Sequence, residues 1–121
     1  MSIIFIALGG ALGAVSRYAI SLIPLKSGFP FLTLITNLLG ALLIGFIAGL
    51  AESKENISPN AVLFWKTGVC GGFTTFSTFS LETVTLIENG SYISASAYVL
   101  ASVILCIIGV ICGQKLSLLA A

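Results

Sequence analysis

The sequence has 121 residues, 58% of them hydrophobic and only 7% charged, with a formal net charge of +1. Soluble globular chains carry about 25% charged residues, so too little polar surface is present to coat a water-soluble domain. The near-neutral balance, without any basic run, argues against nucleic acid as a partner, and the lack of histidine removes the commonest metal ligand and general base.

Four apolar segments follow one another, each close to the ~20 residues that cross about 30 Å of hydrocarbon. The first is predicted over about Ile3–Ile23 and ends at Pro24, before Lys26-Ser27-Gly28. It has no preceding basic residue and no small-x-small cleavage site after it, so a mature membrane helix is expected in place of a signal peptide. The second covers about Phe31–Leu50 and is closed by the polar stretch Glu52-Ser53-Lys54-Glu55-Asn56. Pro59 suits the start of the third, about Asn60–Thr83, and the loop around Glu88-Asn89-Gly90 ends that hairpin. The fourth runs over about Tyr92–Cys112, with Lys115 at its exit. The predicted class is an all-α integral membrane protein, residues 1–121 forming a single domain of four transmembrane helices with both termini on one side. The three cysteines, Cys70, Cys106 and Cys112, lie in apolar segments without a C-x-x-C pair and read as packing residues.

Orientation is weakly encoded. Lys54, Lys115 and Lys66 fall to one side, Lys26 and Arg17 to the other. That bias of about one or two charges leaves insertion in both directions open under the positive-inside rule. A bundle of four short helices fills its own core, so a pore implies a second chain. If the two insert oppositely, their symmetry axis lies in the membrane plane.

The third segment holds the chemistry. Gly68-Val69-Cys70-Gly71-Gly72-Phe73-Thr74-Thr75-Phe76-Ser77-Thr78-Phe79-Ser80 sets adjacent glycines and a run of hydroxyls in mid-span. Glycines followed by β-branched Thr74 and Thr75 weaken helix propensity, so the helix is expected to break at its centre. Freed carbonyls at that depth need a partner, and a hard cation such as Na⁺ suits them. The alternative is close glycine packing, with hydroxyls bonded back to the i−4 carbonyl. Phe73, Phe76 and Phe79 recur every three residues on one helix face. Their positive ring edges suit a partly dehydrated anion, although an aromatic stripe also serves plain packing. Ser77, Thr78 and Ser80 are interleaved as hydroxyl donors.

The run Gly71-Gly72-Phe73-Thr74-Thr75-Phe76-Ser77-Thr78-Phe79-Ser80 with Glu82 resembles the signature of the Fluc (CrcB) fluoride channels. Gly9-Gly10-Ala11-Leu12-Gly13-Ala14 with Arg17-Tyr18 resembles the family's first-helix motif. Thr33 to Asn37, with Gly40 and Gly45, resembles its second. The resemblance covers nearly the whole chain. It implies an antiparallel dual-topology dimer in a bacterial plasma membrane, through which fluoride leaves the cytoplasm passively. The second chain is another copy or a paralogous chain. Carried over, Gly71 and Thr74 offer backbone carbonyls to a structural Na⁺ at the dimer centre. Phe76 and Phe79 are the pore phenylalanines, Ser77 and Thr78 line the ion track, and Asn37 donates to the ion. Phe73 departs from the smaller aliphatic residue the family often has there.

Other polar residues fit around that track. Asn37 should face protein or pore, since an amide in lipid is costly. Arg17 either snorkels to the interface or sits in a vestibule that draws anions inward. Glu82 is placed beside the path as an acceptor or anchor. Tyr98 and Ser102, four apart, extend the polar track or pack helices. Two other readings compete. A small multidrug-type proton antiporter needs a glutamate in its first helix, where this chain has Arg17. A non-transporting membrane subunit leaves the hydroxyl and phenylalanine cluster without purpose. Without histidine and with few carboxylates, no nucleophile–base pair is expected, so the chain is not read as an enzyme.

Overall fold

The computed structural model describes residues 1–54 and 56–120; Glu55, counted in the polar link above, lies outside them. The architecture is all-helical among the described residues. Helix α1 spans Ser2–Ser21 and α2 spans Phe31–Ser53. The third segment is composite: α3, Pro59–Val62, a π-helical run Leu63–Cys70, and α4, Gly71–Phe73. It resumes as α5, Phe76–Glu88, and the last helix, α6, spans Tyr92–Ala120. Among the described residues α1, α2 and α6 are each long and apolar enough to cross a bilayer. The last helix continues past Cys112 and Lys115 because Gly113 is a packing position inside the helix, not a stop.

Local signals explain the ends. Pro59 occupies the first turn of α3, where its missing N–H costs nothing. At the far end of α5, Gly90 takes φ +76°. Its amide donates to the Ile87 carbonyl at 3.0 Å, and the Ser91 amide to Leu86 at 2.8 Å. That pair of bonds closes α5 as a Schellman motif, for which a glycine is the natural residue.

Packing is organised by glycines four apart. Gly9 and Gly13 on α1 meet Gly68 and Gly72 on the third segment: a methyl on Gly13 would run into the Val69 carbonyl, and one on Gly72 into the Gly10 carbonyl. Gly45 and Gly49 on α2 meet Val110 and Ser117 on α6, while Gly109 and Gly113 of α6 meet the α2 residues Leu38 and Leu42. Residue numbers rise together along both contacts, so each pair is parallel. Small residues let backbones approach closely, which is how helices gain van der Waals energy where lipid provides no hydrophobic drive. The α5 end is held differently, by Leu34, Phe79, Leu86, Ala95 and a fully buried Tyr98. There the rings of Phe79 and Tyr98 lie 5.0 Å apart, and Phe29 meets Tyr98 edge-on at 5.6 Å.

Candidate functional site

At mid-span the backbone leaves helical geometry at Thr74 (φ −84°, ψ 154°) and Thr75 (φ −147°, ψ 118°). Gly71 and Cys70 before them remain helical. The extended residues are thus the β-branched threonines, whose side chains suit that conformation, while the glycines serve contact with α1. The last helical bonds before the interruption run to the Cys70 carbonyl, from the Thr74 amide at 3.0 Å and the Thr74 hydroxyl at 2.8 Å.

Three side chains satisfy the interrupted backbone. The Thr75 amide donates to Asn37 Oδ1 at 2.8 Å, and Asn37 Nδ2 donates to the Thr75 carbonyl at 3.1 Å. The asparagine thereby acts as one rung of strand pairing reached across from α2. Thr75 Oγ1 accepts from the Thr78 amide at 3.1 Å, capping α5, and lies 3.2 Å from Ser77 Oγ. Arg17 Nε donates to the Gly72 carbonyl at 3.3 Å. Among the described residues, no side chain donates to the carbonyl of Gly71 or Thr74, and no backbone amide from a turn, loop or cap does so. Gly71 is exposed, and a methyl added to it would meet nothing within 4 Å.

A groove of about 610 Å³ opens at this point between α2, the third segment and α6. Asn37, Gly71, Thr74, Phe76, Phe79 and Ser102 all line it. Phe76 is 79% exposed and Phe79 only 8%, with their rings 5.4 Å apart. Ser102 Oγ is buried and has no hydrogen-bond partner among the described residues. Other expected residues stand apart from the groove lining: Ser77, Thr78, Tyr98 and Arg17. Tyr98 donates to Glu82 Oε1 at 2.9 Å, so that carboxylate is occupied as an acceptor. Phe73 lies across the interruption from Phe76, next to Gly40. The three phenylalanines therefore do not form one helical stripe. Back-bonding to the i−4 carbonyl is present beside the interruption, from Ser80 to Phe76 and from Thr83 to Phe79, each at 2.8 Å.

From the sequence, Thr75 stands out as a β-branched residue that weakens the helix, not as its cap. Its signal is a threonine directly before a helical run, the preferred N-cap type. Lys66, Thr67, Cys70 and Cys106 also line the groove. Their position depends on which face of each helix turns inward, which a uniformly apolar sequence does not mark.

These features define a helical membrane protein with a hydroxyl- and amide-bearing seam deep in an apolar bundle. The chain belongs to the CrcB-like protein, Camphor Resistance (CrcB) family, whose model matches residues 4–114. It is 46% identical over 104 residues to the "Fluoride-specific ion channel FluC" of Chlorobium chlorochromatii (strain CaD3), covering 84% of this chain and 81% of that one. The protein of the same name from Elusimicrobium minutum (strain Pei191) is 47% identical over 109 residues, with 87% and 84% covered. That from Shewanella pealeana (strain ATCC 700345 / ANG-SQ1) is 46% identical over 118 residues, with 95% and 94% covered.

Proposed function

We propose that this chain is a passive, fluoride-selective channel of a bacterial plasma membrane, working as an antiparallel dual-topology dimer. The observation that carries the reading is the meeting of Asn37, Phe76, Phe79 and Ser102 in one groove at mid-span, in a chain whose relatives bear the name fluoride-specific ion channel.

Fluoride is small and strongly hydrated, so a path for it must replace water with closely spaced donors. An asparagine amide has two hydrogens, and Thr75 uses one. The second is left for the ion. The edges of Phe76 and Phe79 add weak positive potential without a fixed charge that would trap it. The first amides of α5, at Phe76 and Ser77, have no intrahelical acceptor and point the positive end of the helix dipole at the seam. Ser77 and Thr78 act there, at the head of α5, and the unpaired Ser102 hydroxyl supplies a further donor across the groove. Tyr98 holds Glu82 and so keeps a carboxylate's charge engaged beside the path.

The dimer reading rests on what one chain leaves bare. Phe76 is largely exposed in mid-span, and a partner copy would bring its own ring to complete the constriction. The third segment is broken in this reading. Its Gly71 and Thr74 carbonyls, to which no side chain donates among the described residues, fit a hard cation such as Na⁺, and the space beside the Gly71 Cα is open. Such an ion supplies compensation for carbonyl dipoles that hydrocarbon cannot solvate.

The test is passive efflux from liposomes holding only this purified chain, followed by a fluoride electrode with chloride run in parallel. Rapid fluoride loss with negligible chloride loss is expected. Folded protein that releases no fluoride would overturn the reading.

A further inference from the structure

The groove at the interruption holds a cation that the polar seam does not use. Lys66 stands on the π-helical run and lines the groove with Thr67, Cys70 and Thr74. It is exposed, and no carboxylate belongs to the lining among the described residues. The charge therefore faces the groove uncompensated on its own wall. Arg17, the other cation set inside a span, is outside that lining and donates to the Gly72 carbonyl. The side chain positioned to attract an anion into the groove is Lys66.

We propose that Lys66 is the anion-recruiting residue of this groove, raising the local concentration of fluoride beside Asn37, Phe76 and Phe79. The inference rests on the channel reading above and adds a residue to it. Lys66 lies eight positions before Thr74, roughly 10 Å along the segment, a little under the ~12 Å of a purely α-helical stretch because Leu63–Cys70 is π-helical. At that range one charge acts through the field of the groove and not by contact. The range also sets how salt matters. The Debye length is about 30 Å at 0.01 M ionic strength and about 3 Å at 1 M, so the attraction spans the distance in dilute salt and is screened in concentrated salt. Low-dielectric walls strengthen it by focusing the field. Asn37 and the ring edges hold the ion by hydrogen-bond and quadrupole contact, which salt screens little, so the two contributions separate experimentally.

The experiment compares wild type, Lys66→Gln and Lys66→Arg, each reconstituted alone in liposomes. Initial fluoride efflux is measured at total ionic strengths of about 0.01 M and about 1 M, set with an impermeant organic salt. Lys66→Gln is expected to lose about threefold in rate at low ionic strength and to match wild type at high. Lys66→Arg, which keeps the charge, is expected to follow wild type at both. Equal rates for wild type and Lys66→Gln in dilute salt would overturn the proposal, as they would if the ammonium turned away to a lipid phosphate. A loss that salt does not remove and that Lys66→Arg shares would also overturn it, since that pattern belongs to packing. Wild type without fluoride flux would end the channel reading and this role together; conducting wild type with an unaffected Lys66→Gln ends this role alone.

Discussion

Asn37 carries two duties that its amide chemistry makes compatible. One end accepts from the Thr75 amide and the other donates to the Thr75 carbonyl. Asn37→Asp keeps the acceptor, removes the donor and sets a negative charge beside the proposed anion path. Leaving the Thr75 carbonyl unpaired costs about 1–3 kcal/mol. Like-charge repulsion at contact range adds enough that fluoride flux should fall by at least roughly tenfold. Thermal unfolding in detergent and liposome efflux read the two effects separately, and undiminished flux would remove Asn37 from the path. Phe76 is the opposite case, since its ring is 79% exposed and contributes little to the fold of one chain. Phe76→Ile should leave stability within about 0.5 kcal/mol and still suppress flux, because bulk is kept and the ring edge is lost. Equal flux in that variant would assign the ring to packing alone.

At the scale of the helices, the fold depends on surfaces with no side chain. Gly13 admits the Val69 carbonyl and the Phe73 amide into α1. Gly13→Ala should force the helices apart at a cost of about 1–3 kcal/mol, seen as a clear loss of monodisperse protein on size exclusion in detergent. Gly71→Ala is the control, because a methyl there meets nothing within 4 Å inside the chain; its single-chain fold should be unchanged. If both variants behaved alike, glycine packing would not be the basis of the α1 contact. The adjacent glycines and threonines of the third segment were legible as an irregularity at mid-span. Which of them would leave the helix was not, because Gly71 and Thr75 are both poor helix formers. The choice fell to partners on other helices: α1 accepts a glycine surface, and Asn37 of α2 offers both a donor and an acceptor to an extended residue.

At the scale of the whole molecule, the proposed antiparallel dimer makes the groove one wall of a path that a second copy completes. If Gly71 and Thr74 carbonyls hold Na⁺ between copies, replacing Na⁺ by a bulky organic cation during purification should weaken the dimer and lower fluoride flux. Restored Na⁺ should recover both, measured by size exclusion and liposome efflux. Flux and assembly indifferent to the cation would rule out that role for the carbonyls.

Hydropathy and punctuation in the sequence determined the helical membrane class, the approximate positions of its spans and the cluster of polar groups in the third. They did so because backbone groups in hydrocarbon must bond within helices, and because proline and glycine stop helices by local geometry. Residue types also marked Asn37, Phe76 and Phe79 as unusual at that depth. Only the tertiary structure decided that α1 pairs with the third segment and α2 with α6, that Phe73 parts from the other rings, and that Lys66 lines the groove while Arg17 caps a carbonyl. The reason is physical: nearly every face of these helices is apolar, so periodicity does not single out the inward one. Contact between small residues far apart in the chain selects it instead.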